Sequence, residues 1–534
     1  MSVLSLFLTV MQIVGWQTSM KNGTSIHSSS LFQSIGKLGP GQCIFWGIAE
    51  FLLFGVLIYL LFARMEKHCI CAEDTADAFP GFWWIGTGVL LFCVYLVYLI
   101  CCYPGFYNYD VGNQIPQVLY AEVPYSAHHP ILHTLIEGGI ISLGYKIYGT
   151  DLTFGIFLYC AFQMAVCAVC FTHCICFVWK LTRKKGFMVL SFVFYALCPP
   201  IIMFAMSTTK DVICYSVLLV AVLTVFDIYQ NLKYGQVGIH RWVQLGALLT
   251  VSCLFRKNIV YVVVVFAVIM LIFVKKERKK QILVYAGTIL LTVLINRGLI
   301  FITDASEGNP MEALSIPVQQ IARLYNEKGE AAFEAEELEL LYSFIDKEML
   351  SHYDPFRSDA IKYAFWLHYD TISEKKREFF SLWAKKGLQY PGVYVTAFVD
   401  NTYQAWYPGT ILRDTGRLRY FDITEWQNEY ERPKFKPLYY FFKNIDAETS
   451  YRKYPVIRLF FSIGFMFWAV LTAWFYGLWR RAPGILAALG LVLCVSVTNW
   501  AGPVSDVRYY LLNFYVFPLS IGVFFAGNYI KGRR

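Results

Sequence analysis

The sequence predicts an all-α polytopic membrane protein with about 11 to 12 transmembrane helices and a mainly α-helical extracytoplasmic insert. The 534 residues are 57% hydrophobic and 16% charged, with a mean hydropathy of +0.47, whereas soluble proteins have about 25% charged residues. The charges are also segregated. Residues 304–455 contain 24 of the 37 acidic residues but only 19 of the 46 basic ones. The remainder is apolar with an excess of basic residues, as in membrane helices joined by short basic loops.

Each predicted span is a mainly apolar run that approaches the roughly 20 residues needed to cross a bilayer. The N-terminal residues 1–16 are also apolar and predict a short further span or an interfacial segment. The other predicted spans are 43–63, 82–103, 151–180, 187–206, 212–229, 243–255, 259–274, 281–303, 456–479, 484–501 and 509–529.

Basic clusters orient these spans, because Lys and Arg are concentrated in cytoplasmic loops. Residues 183–185, 275–280, 480–481 and 531–534 are such clusters. With all four in the cytoplasm, the alternation of spans places the insert outside the membrane and the C-terminus inside. Residues 130–148 then do not cross the membrane, and we expect a re-entrant or interfacial segment there.

This topology predicts four regions. Residues 1–80 provide additional N-terminal spans. Residues 81–303 form a transmembrane core, whose first outer loop, 104–150, carries the candidate catalytic residues. Residues 304–455 form the extracytoplasmic soluble domain, and residues 456–534 provide the C-terminal transmembrane helices and a basic tail.

The same topology places a set of ionisable residues on the outer face, beside the insert. Ionisable residues at the membrane are costly to bury and are functional candidates by default. Their common side predicts one site between the membrane surface and the insert. The residues are Asp110, His128, His129, Lys210, Asp211, Arg256, Lys257 and Arg508.

Asp110 follows the span 82–103 in an aromatic loop and is the first catalytic candidate. A carboxylate at this position can act as a general base or bind a divalent metal. It can equally cap a helix predicted at residues 111–120, since Asp is a common N-cap residue. Tyr109 and Gln114 in the same loop are expected to bind substrate.

His128 and His129 precede Pro130 in the same outer loop. Neighbouring histidines on an irregular loop can supply a metal ligand or a proton relay. Alternatively, they cap a helix that begins at Pro130, because proline is favoured in the first helical turn. Their nearness to Asp110 favours the functional interpretation.

The outward basic residues and Asp211 are candidates for substrate binding, and the basic ones suit an anionic substrate. Lys210 and Asp211 either form an ion pair that ends one span and caps the next, or Lys210 neutralises an anionic headgroup. Arg256, Lys257 and Arg508 either snorkel to the interface or bind phosphate, which arginine contacts in a bidentate manner. Several outward cations oppose the usual charge bias, and a phosphate-bearing lipid accounts for them.

Several function classes are not indicated. The sequence has no P-loop, no dinucleotide-binding glycine motif and no zinc-peptidase motif, so no nucleotide cofactor is expected. The net charge of +9 comes from short loops between spans and does not indicate nucleic-acid binding. All fifteen cysteines lie in residues 1–303 or at Cys494, mostly in apolar runs, where cysteine is a small hydrophobic residue rather than a disulfide partner.

A series of short motifs follows one order along the outer face. It begins with Tyr103-Pro104-Gly105 and Asp110, continues through His128-His129-Pro130, Lys210-Asp211 and Arg256-Lys257-Asn258, and ends with Gly502-Pro503 and Arg508-Tyr509-Tyr510. This series resembles the GT-C superfamily of integral membrane glycosyltransferases, and the similarity extends over residues 82–527. The closest resemblance is to a little-characterised bacterial branch whose large outer domain carries Ser315-Ile316-Pro317-x-Gln319-Gln320.

The resemblance implies catalysis at the outer face of the bacterial cytoplasmic membrane, which would be the lipid bilayer partner. GT-C enzymes take a sugar from a polyprenyl-phosphate donor, and the acceptor would be a cell-envelope glycan, lipid or polymer. Asp110 would be the base or, with His129, a ligand of Mg or Mn, and His128 and His129 would assist. Lys210, Arg256 and Arg508 would hold the donor phosphate.

Two features depart from the superfamily pattern. No second acidic residue stands directly beside Asp110, unlike in branches with a paired motif, which puts the metal in question. At least one extra span also precedes the first span of the core.

Two other function classes stay open. A transporter or flippase for lipid-linked sugars or envelope precursors would normally show internal repeats, broken helices and ionisable groups at the bilayer midplane, and the sequence shows no repeat. An envelope scaffold or sensor would not need outward cations at several span ends. The glycosyltransferase is therefore the leading hypothesis.

Overall fold

The computed structural model describes residues 1–21, 39–67, 81–149, 151–308, 310–409, 430–445, 450–451 and 454–526. These residues form α-helices and short 3-10 helices, and they contain isolated β-bridges but no β-strand. The predicted all-α class is therefore confirmed for the described chain. The predicted basic tail, 531–534, lies outside the described residues, and so does the side chain of Tyr109.

Thirteen described helices precede the insert. They are α1 (Ser2–Lys21), α2 (Pro40–Lys67), α3 (Gly81–Cys101), α4 (Tyr109–Gln114), α5 (Pro116–Leu119), α6 (Ile131–Tyr148), α7 (Thr153–Thr182), α8 (Lys185–Leu197), α9 (Pro199–Ala205), α10 (Lys210–Asn231), α11 (Ile239–Phe255), α12 (Ile259–Phe273) and α13 (Arg278–Thr303).

The described helices of the insert and the C-terminal region are mostly shorter. They are α14 (Ser315–Lys328), α15 (Ala335–Phe344), α16 (Asp359–Trp366), α17 (Tyr369–Glu374), α18 (Lys376–Gln389), α19 (Pro391–Trp406), α20 (Lys436–Lys443), α21 (Pro455–Leu459), α22 (Ile463–Trp479), α23 (Pro483–Asn499), α24 (Leu511–Tyr515) and α25 (Phe517–Gly522). Short 3-10 helices lie at Pro310–Leu314, Glu330–Ala332, Lys347–His352, Val507–Tyr510 and Val523–Phe525.

The chain is a multi-pass membrane protein. Among the described helices, seven segments are long and apolar enough to cross a bilayer: α1, α2 from Ile44, α3, α7, α10, α13 and Val507–Phe525. The bent pair α8 and α9 would make eight. The shorter apolar helices α11, α12, α22 and α23 lie where spans were predicted, and their crossing stays a prediction.

Several of the predicted continuous helices are interrupted. The span 187–206 bends by 56° between α8 and α9, because Pro199 and Pro200 cannot continue the preceding helix. Pro116 likewise begins α5 and separates it from α4. The span 456–479 is divided into α21 and α22, and Ser462 begins the second part as an N-cap whose Oγ accepts from Phe465 N–H at 3.2 Å.

Helix α6 occupies the segment predicted to be re-entrant or interfacial, and it is not among the helices apolar enough to span. It packs against α7. His133 lies 2.8 Å from Tyr159 OH, while a Cβ added at Gly144 would overlap the backbone of Gly155. Both contacts fall in the first two turns of α7, so α6 packs against the start of this helix.

The described residues form two main hydrophobic cores. One joins the membrane helices and also includes Tyr403, Trp406 and Tyr439 from the C-terminal part of the insert. The other belongs to the insert alone and extends from Met311 to Tyr394. The insert therefore has its own core only in its first part, and its last part packs into the core of the membrane helices.

Candidate functional site: a carboxylate between two cations

The loops before α4 and α10 lie side by side in an extended conformation. Phe106 N–H donates to Met206 O at 2.8 Å, and Thr208 N–H donates to Phe106 O at 2.9 Å. The bridge is parallel, so both loops advance in the same direction. This pairing places Asp110 beside Lys210.

Two residues fix the path of the loop before α4. Gly105 has a φ of +106°, and a Cβ there would meet Met206 O, so only glycine allows this approach. Asn108 is the N-cap of α4, and its Oδ1 accepts from Asp110 N–H at 3.1 Å. The predicted alternative that Asp110 is itself the N-cap is therefore wrong, and the Asp110 carboxylate is available for other contacts.

The Asp110 carboxylate lies between two cations. Its Oδ2 accepts from Lys210 Nζ at 2.8 Å and from Arg508 Nη1 at 3.1 Å. Asp110 and Arg508 are only 7% and 3% exposed. Burial raises the pKa of the Asp110 carboxyl group, but the charges of Lys210 and Arg508 outweigh this effect and hold the pKa well below its usual value. Asp110 is therefore a buried anion.

His129 contacts Lys210 as well. Its Nδ1 lies 3.4 Å from Lys210 Nζ. Burial, reinforced by the charge of Lys210, lowers the pKa of His129 to about 3. The ring is therefore neutral at physiological pH, and Nδ1 is the acceptor for the ammonium.

The predicted metal ligands do not fit a metal ion in this arrangement. The Lys210 ammonium contacts both Asp110 and His129, so a cation of the protein itself occupies the position that Mg²⁺ or Mn²⁺ would share with them. Within the described ranges no group of three His, Cys, Asp or Glu residues could hold a metal, and Mg²⁺ requires near-octahedral oxygen ligation.

The loop containing His128 is held by main-chain contacts. Ala127 N–H donates to Ser306 O at 2.8 Å. Lys257 Nζ donates to Ala127 O and, at 3.4 Å, to His128 O. The His128 ring is exposed and meets the His129 ring edge-on at 4.8 Å. Lys257 thus binds the backbone of this loop.

The capping alternative for the two histidines is wrong. Pro130 is the N-cap of α6, and no side chain donates or accepts a capping hydrogen bond there. His128 and His129 instead precede the helix, and only His129 is buried against Lys210.

Asp211 and Arg256 form a separate ion pair. Asp211 is fully buried, and the Arg256 Nε–H also donates to Asn258 Oδ1 at 2.8 Å. The predicted local ion pair of Lys210 with Asp211 is therefore wrong, because each of them pairs with a residue of another segment. Both Asp211 and Arg256, predicted to bind substrate, are bound to protein groups here.

Tyr509 separates the two arginines. The centroid of its ring lies 4.4 Å from Arg256 Cζ and 4.7 Å from Arg508 Cζ. A π-system between two guanidinium groups is attracted to both and reduces the cost of their proximity. Arg508 Nη2 also donates to the Tyr509 hydroxyl at 2.8 Å.

Arg508 connects Asp110 to the insert. Its Nε lies 3.8 Å from Oδ2 of the fully buried Asp506, and the same oxygen lies 3.7 Å from Arg357 Nη2 of the insert. An alternating chain of charges thus extends from Arg357 through Asp506 and Arg508 to Asp110. Sequence reasoning did not single out Arg357 or Asp506, although Asp506 stands two positions before Arg508 in a short loop between apolar runs.

The insert also holds the backbone of the loop 500–508. Ser358 N–H donates to Pro503 O at 2.9 Å. Asn401 Nδ2 donates to Gly502 O at 3.2 Å, and the backbone carbonyl of Asn401 accepts from Ser505 Oγ at 2.9 Å. The insert therefore positions the loop that carries Arg508.

A buried polar network anchors α4 to α6. Gln114 Nε2 donates to Thr134 Oγ1 at 2.8 Å and lies 3.1 Å from His133 Nδ1. The same His133 nitrogen lies 3.4 Å from Glu137 Oε2, and both His133 and Glu137 are fully buried. Gln114, predicted to bind substrate, is 1% exposed and is not accessible to a substrate in this structure.

Sequence reasoning missed His133 and Glu137. The available signal was their spacing of four residues, which places both on the same face of α6. Two titratable residues on the same face of a mostly apolar helix indicate a buried polar contact.

The fold is that of a polytopic membrane protein. Its polar site, a buried carboxylate between two cations, lies on one face of the helical bundle. The chain belongs to a family of unknown function, DUF6020, whose model matches residues 121–527. The matched region includes Lys210, Arg256 and Arg508 and begins after Asp110. No curated protein and no solved structure matches the chain.

Proposed function

We propose that the protein is a GT-C-type glycosyltransferase that transfers a sugar from a polyprenyl-phosphate donor to a cell-envelope acceptor at the extracytoplasmic face. The observation that carries the proposal is the position of Asp110 between Lys210 and Arg508. One carboxylate can take a proton from an acceptor hydroxyl. Two adjacent cations can bind a phosphate. Glycosyl transfer from a lipid phosphate needs both functions within a few ångströms.

Lys210 and Arg508 would act on the donor phosphate. Before the donor binds, Asp110 neutralises both cations. The donor phosphate would draw them from the carboxylate, because arginine and lysine bind phosphate oxygens through charge-assisted hydrogen bonds. The leaving phosphate gains negative charge as its bond to the sugar breaks, so this interaction stabilises the transition state more than the bound donor.

Asp110 would act on the acceptor. The acceptor oxygen forms a bond to the anomeric carbon while the bond from that carbon to the phosphate oxygen breaks. The bonding electron pair leaves with the polyprenyl phosphate, and the hydroxyl proton passes to Asp110. When the cations bind the phosphate, they lower the pKa of Asp110 less, and the carboxylate becomes a stronger base.

Neutral His129 would position Lys210 rather than transfer a proton. Its Nδ1 accepts from the ammonium, and its pKa of about 3 keeps the ring uncharged. Lys210 already occupies the position between the two predicted metal ligands, Asp110 and His129.

Reconstitution of the full chain in proteoliposomes tests the proposal. The donors are polyprenyl-phosphate hexoses and N-acetylhexosamines with a radiolabelled sugar, and the acceptor is a cell-envelope extract. We expect Asp110→Asn to reduce transfer by about 100-fold or more, as for loss of a general base. The matched control is Asp227→Asn, because Asp227 pairs with Lys180 at 2.9 Å near the other end of α10.

Two results would contradict the assignment. Transfer by Asp110→Asn at the wild-type rate would remove Asp110 from the reaction. Movement of the labelled lipid across the bilayer without a glycosidic product would establish a transporter instead.

A further inference from the structure

We propose that a cavity between the first outer loop, 104–150, and the insert binds a neutral saccharide unit of the acceptor. This inference rests on the proposed function. The cavity has a volume of about 420 Å³ and is lined by two leucines together with Tyr120, Tyr145, Tyr430, Asp151 and Arg432. Small-molecule sites typically occupy about 300–1,000 Å³, so the cavity suits a small ligand or the end of a longer one.

The lining combines aromatic rings with one acid and one base. A pyranose has an apolar C–H face that packs on tyrosine rings, and the residues Tyr120 and Tyr145 are 53% and 43% exposed. Its hydroxyl groups donate to carboxylates and accept from guanidinium groups. The side chains of Asp151 and Arg432 supply these two partners.

Asp151 is fixed in position for this role. Its Oδ1 accepts from Thr153 N–H at 2.9 Å, which orients the carboxylate at the start of α7. Its Oδ2 lies 3.9 Å from Arg432 Nη2, longer than a direct hydrogen bond. A hydroxyl group can therefore bridge the two side chains.

The balance of charge favours a sugar over a lipid headgroup. Asp151 and Arg432 cancel each other, so the cavity offers no net positive charge to a phosphate. The Asp151 carboxylate would also repel the phosphate of an anionic lipid. A neutral polyol, which both donates and accepts hydrogen bonds, matches both side chains.

The cavity is connected to Asp110 through the first loop. Helices α4 and α5 lead from Asp110 to Tyr120, a path of about 15 Å at the helical rise per residue. The ring of Tyr107, three residues before Asp110, lies 5.3 Å from the ring of Tyr430. The path of about 15 Å from Asp110 to Tyr120 is too long for the cavity to hold the sugar that is being transferred. It suits a later unit of the same acceptor chain. The acceptor is therefore a glycan of several units.

Binding and transfer measured separately test the inference. Saturation-transfer NMR on the full chain in detergent would use the mono- to tetrasaccharides of glucose and N-acetylglucosamine as probes, with glycerol phosphate as the headgroup probe. We expect an oligosaccharide to bind, with at least tenfold weaker affinity in Tyr120→Ala and Asp151→Asn. Tyr234→Ala is the matched control, since Tyr234 is a comparably exposed tyrosine (50%) in the loop before α11.

The outcomes separate this inference from the proposed function. Saccharide binding that Tyr120→Ala weakens, without any sugar transfer, supports the cavity and rejects the glycosyltransferase. Transfer to an oligosaccharide acceptor that Tyr120→Ala and Asp151→Asn leave unchanged rejects the cavity and retains the enzyme. Binding of glycerol phosphate in preference to every saccharide also overturns the inference.

Discussion

Lys210 and Asp110 are 100 residues apart in the sequence, yet their side chains form an ion pair of 2.8 Å. Only 16% of the Lys210 side chain and 9% of the Asp110 side chain are exposed. Breaking a buried pair by removing one partner leaves an uncompensated charge. The pair is therefore a structural link between two loops as well as the centre of the candidate site.

We expect Asp110→Ala to lower the free energy of unfolding by roughly 3–5 kcal/mol, because Lys210 and Arg508 would lose their common anion. The double variant Asp110→Ala/Lys210→Met should lose less than the sum of the single variants, since it removes one of the stranded charges. Unfolding in mixed micelles measures all three. Glu307→Ala is the control, because its pair with Arg297 is exposed and should contribute little; similar losses at both sites would contradict the prediction.

We expect wild-type stability to fall in acid because of His129. Its pKa in the folded chain, about 3, lies below the usual value of about 6.5. As the pH falls below about 6.5, the unfolded chain takes up a proton at this histidine and the folded chain does not, so the folded state loses stability. Between pH 7 and pH 5 the wild type should lose about 2 kcal/mol relative to His129→Asn.

The control for this comparison is His240→Asn, a substitution of an exposed histidine in the first turn of α11. Because this variant retains His129, it should lose stability between pH 7 and pH 5 as the wild type does. A constant difference between wild type and His129→Asn from pH 7 to pH 5 would show that His129 is not buried as described.

We expect Glu137→Gln to stabilise the protein at pH 7. Burial raises the pKa of Glu137 well above its usual value, so the folded chain holds it as a neutral acid. Above about pH 4.3 the unfolded chain ionises at this residue first, which lowers the stability of the folded state as the pH rises. The advantage of Glu137→Gln should therefore disappear near pH 4, as measured by thermal unfolding. A loss of stability at pH 7 would mean that Glu137 is ionised and paired with His133.

We expect Gly144→Ala to destabilise the crossing of α6 and α7 by about 1–3 kcal/mol, the range for overpacked sites. The added Cβ would overlap the backbone of Gly155, which cannot move as a side chain can. Gly139→Ala on the same helix is the matched control, since no atom lies within 4 Å of its added Cβ. It should be neutral or slightly stabilising. Equal effects of the two variants in thermal unfolding would contradict the close approach.

The charge pattern of the sequence was sufficient to place Asp110, Lys210 and Arg508 on a common face. This prediction needs only the alternation of spans between basic loops, which is a one-dimensional property. The partners of each charge could not be predicted in the same way. Lys210 and Asp211 are neighbours at the start of α10, but adjacent helical residues point in different directions, and each found a partner on a distant loop.

The helix boundaries near the site could not be predicted from the local sequence either. Asn108 and Asp110 are both favourable N-cap residues, and the extended pairing of Phe106 with Met206 and Thr208 decides between them. That pairing joins segments about 100 residues apart, and no local pattern encodes it. The position of the segment 130–148 relative to the membrane does not indicate that Glu137 is buried, because this burial arises from the packing of α6 against its neighbours.

The contacts of the insert with the loop 500–508 determine how this protein can be altered by recombination. Arg357, Ser358 and Asn401 hold the loop from which Arg508 reaches Asp110. Exchange of the insert alone would bring in a surface that does not match this loop, and Arg508 would lose its support. We therefore expect that the insert and the loop can be transplanted only as one block, since a change in the contacts of the insert would reach Arg508 and, through it, Asp110.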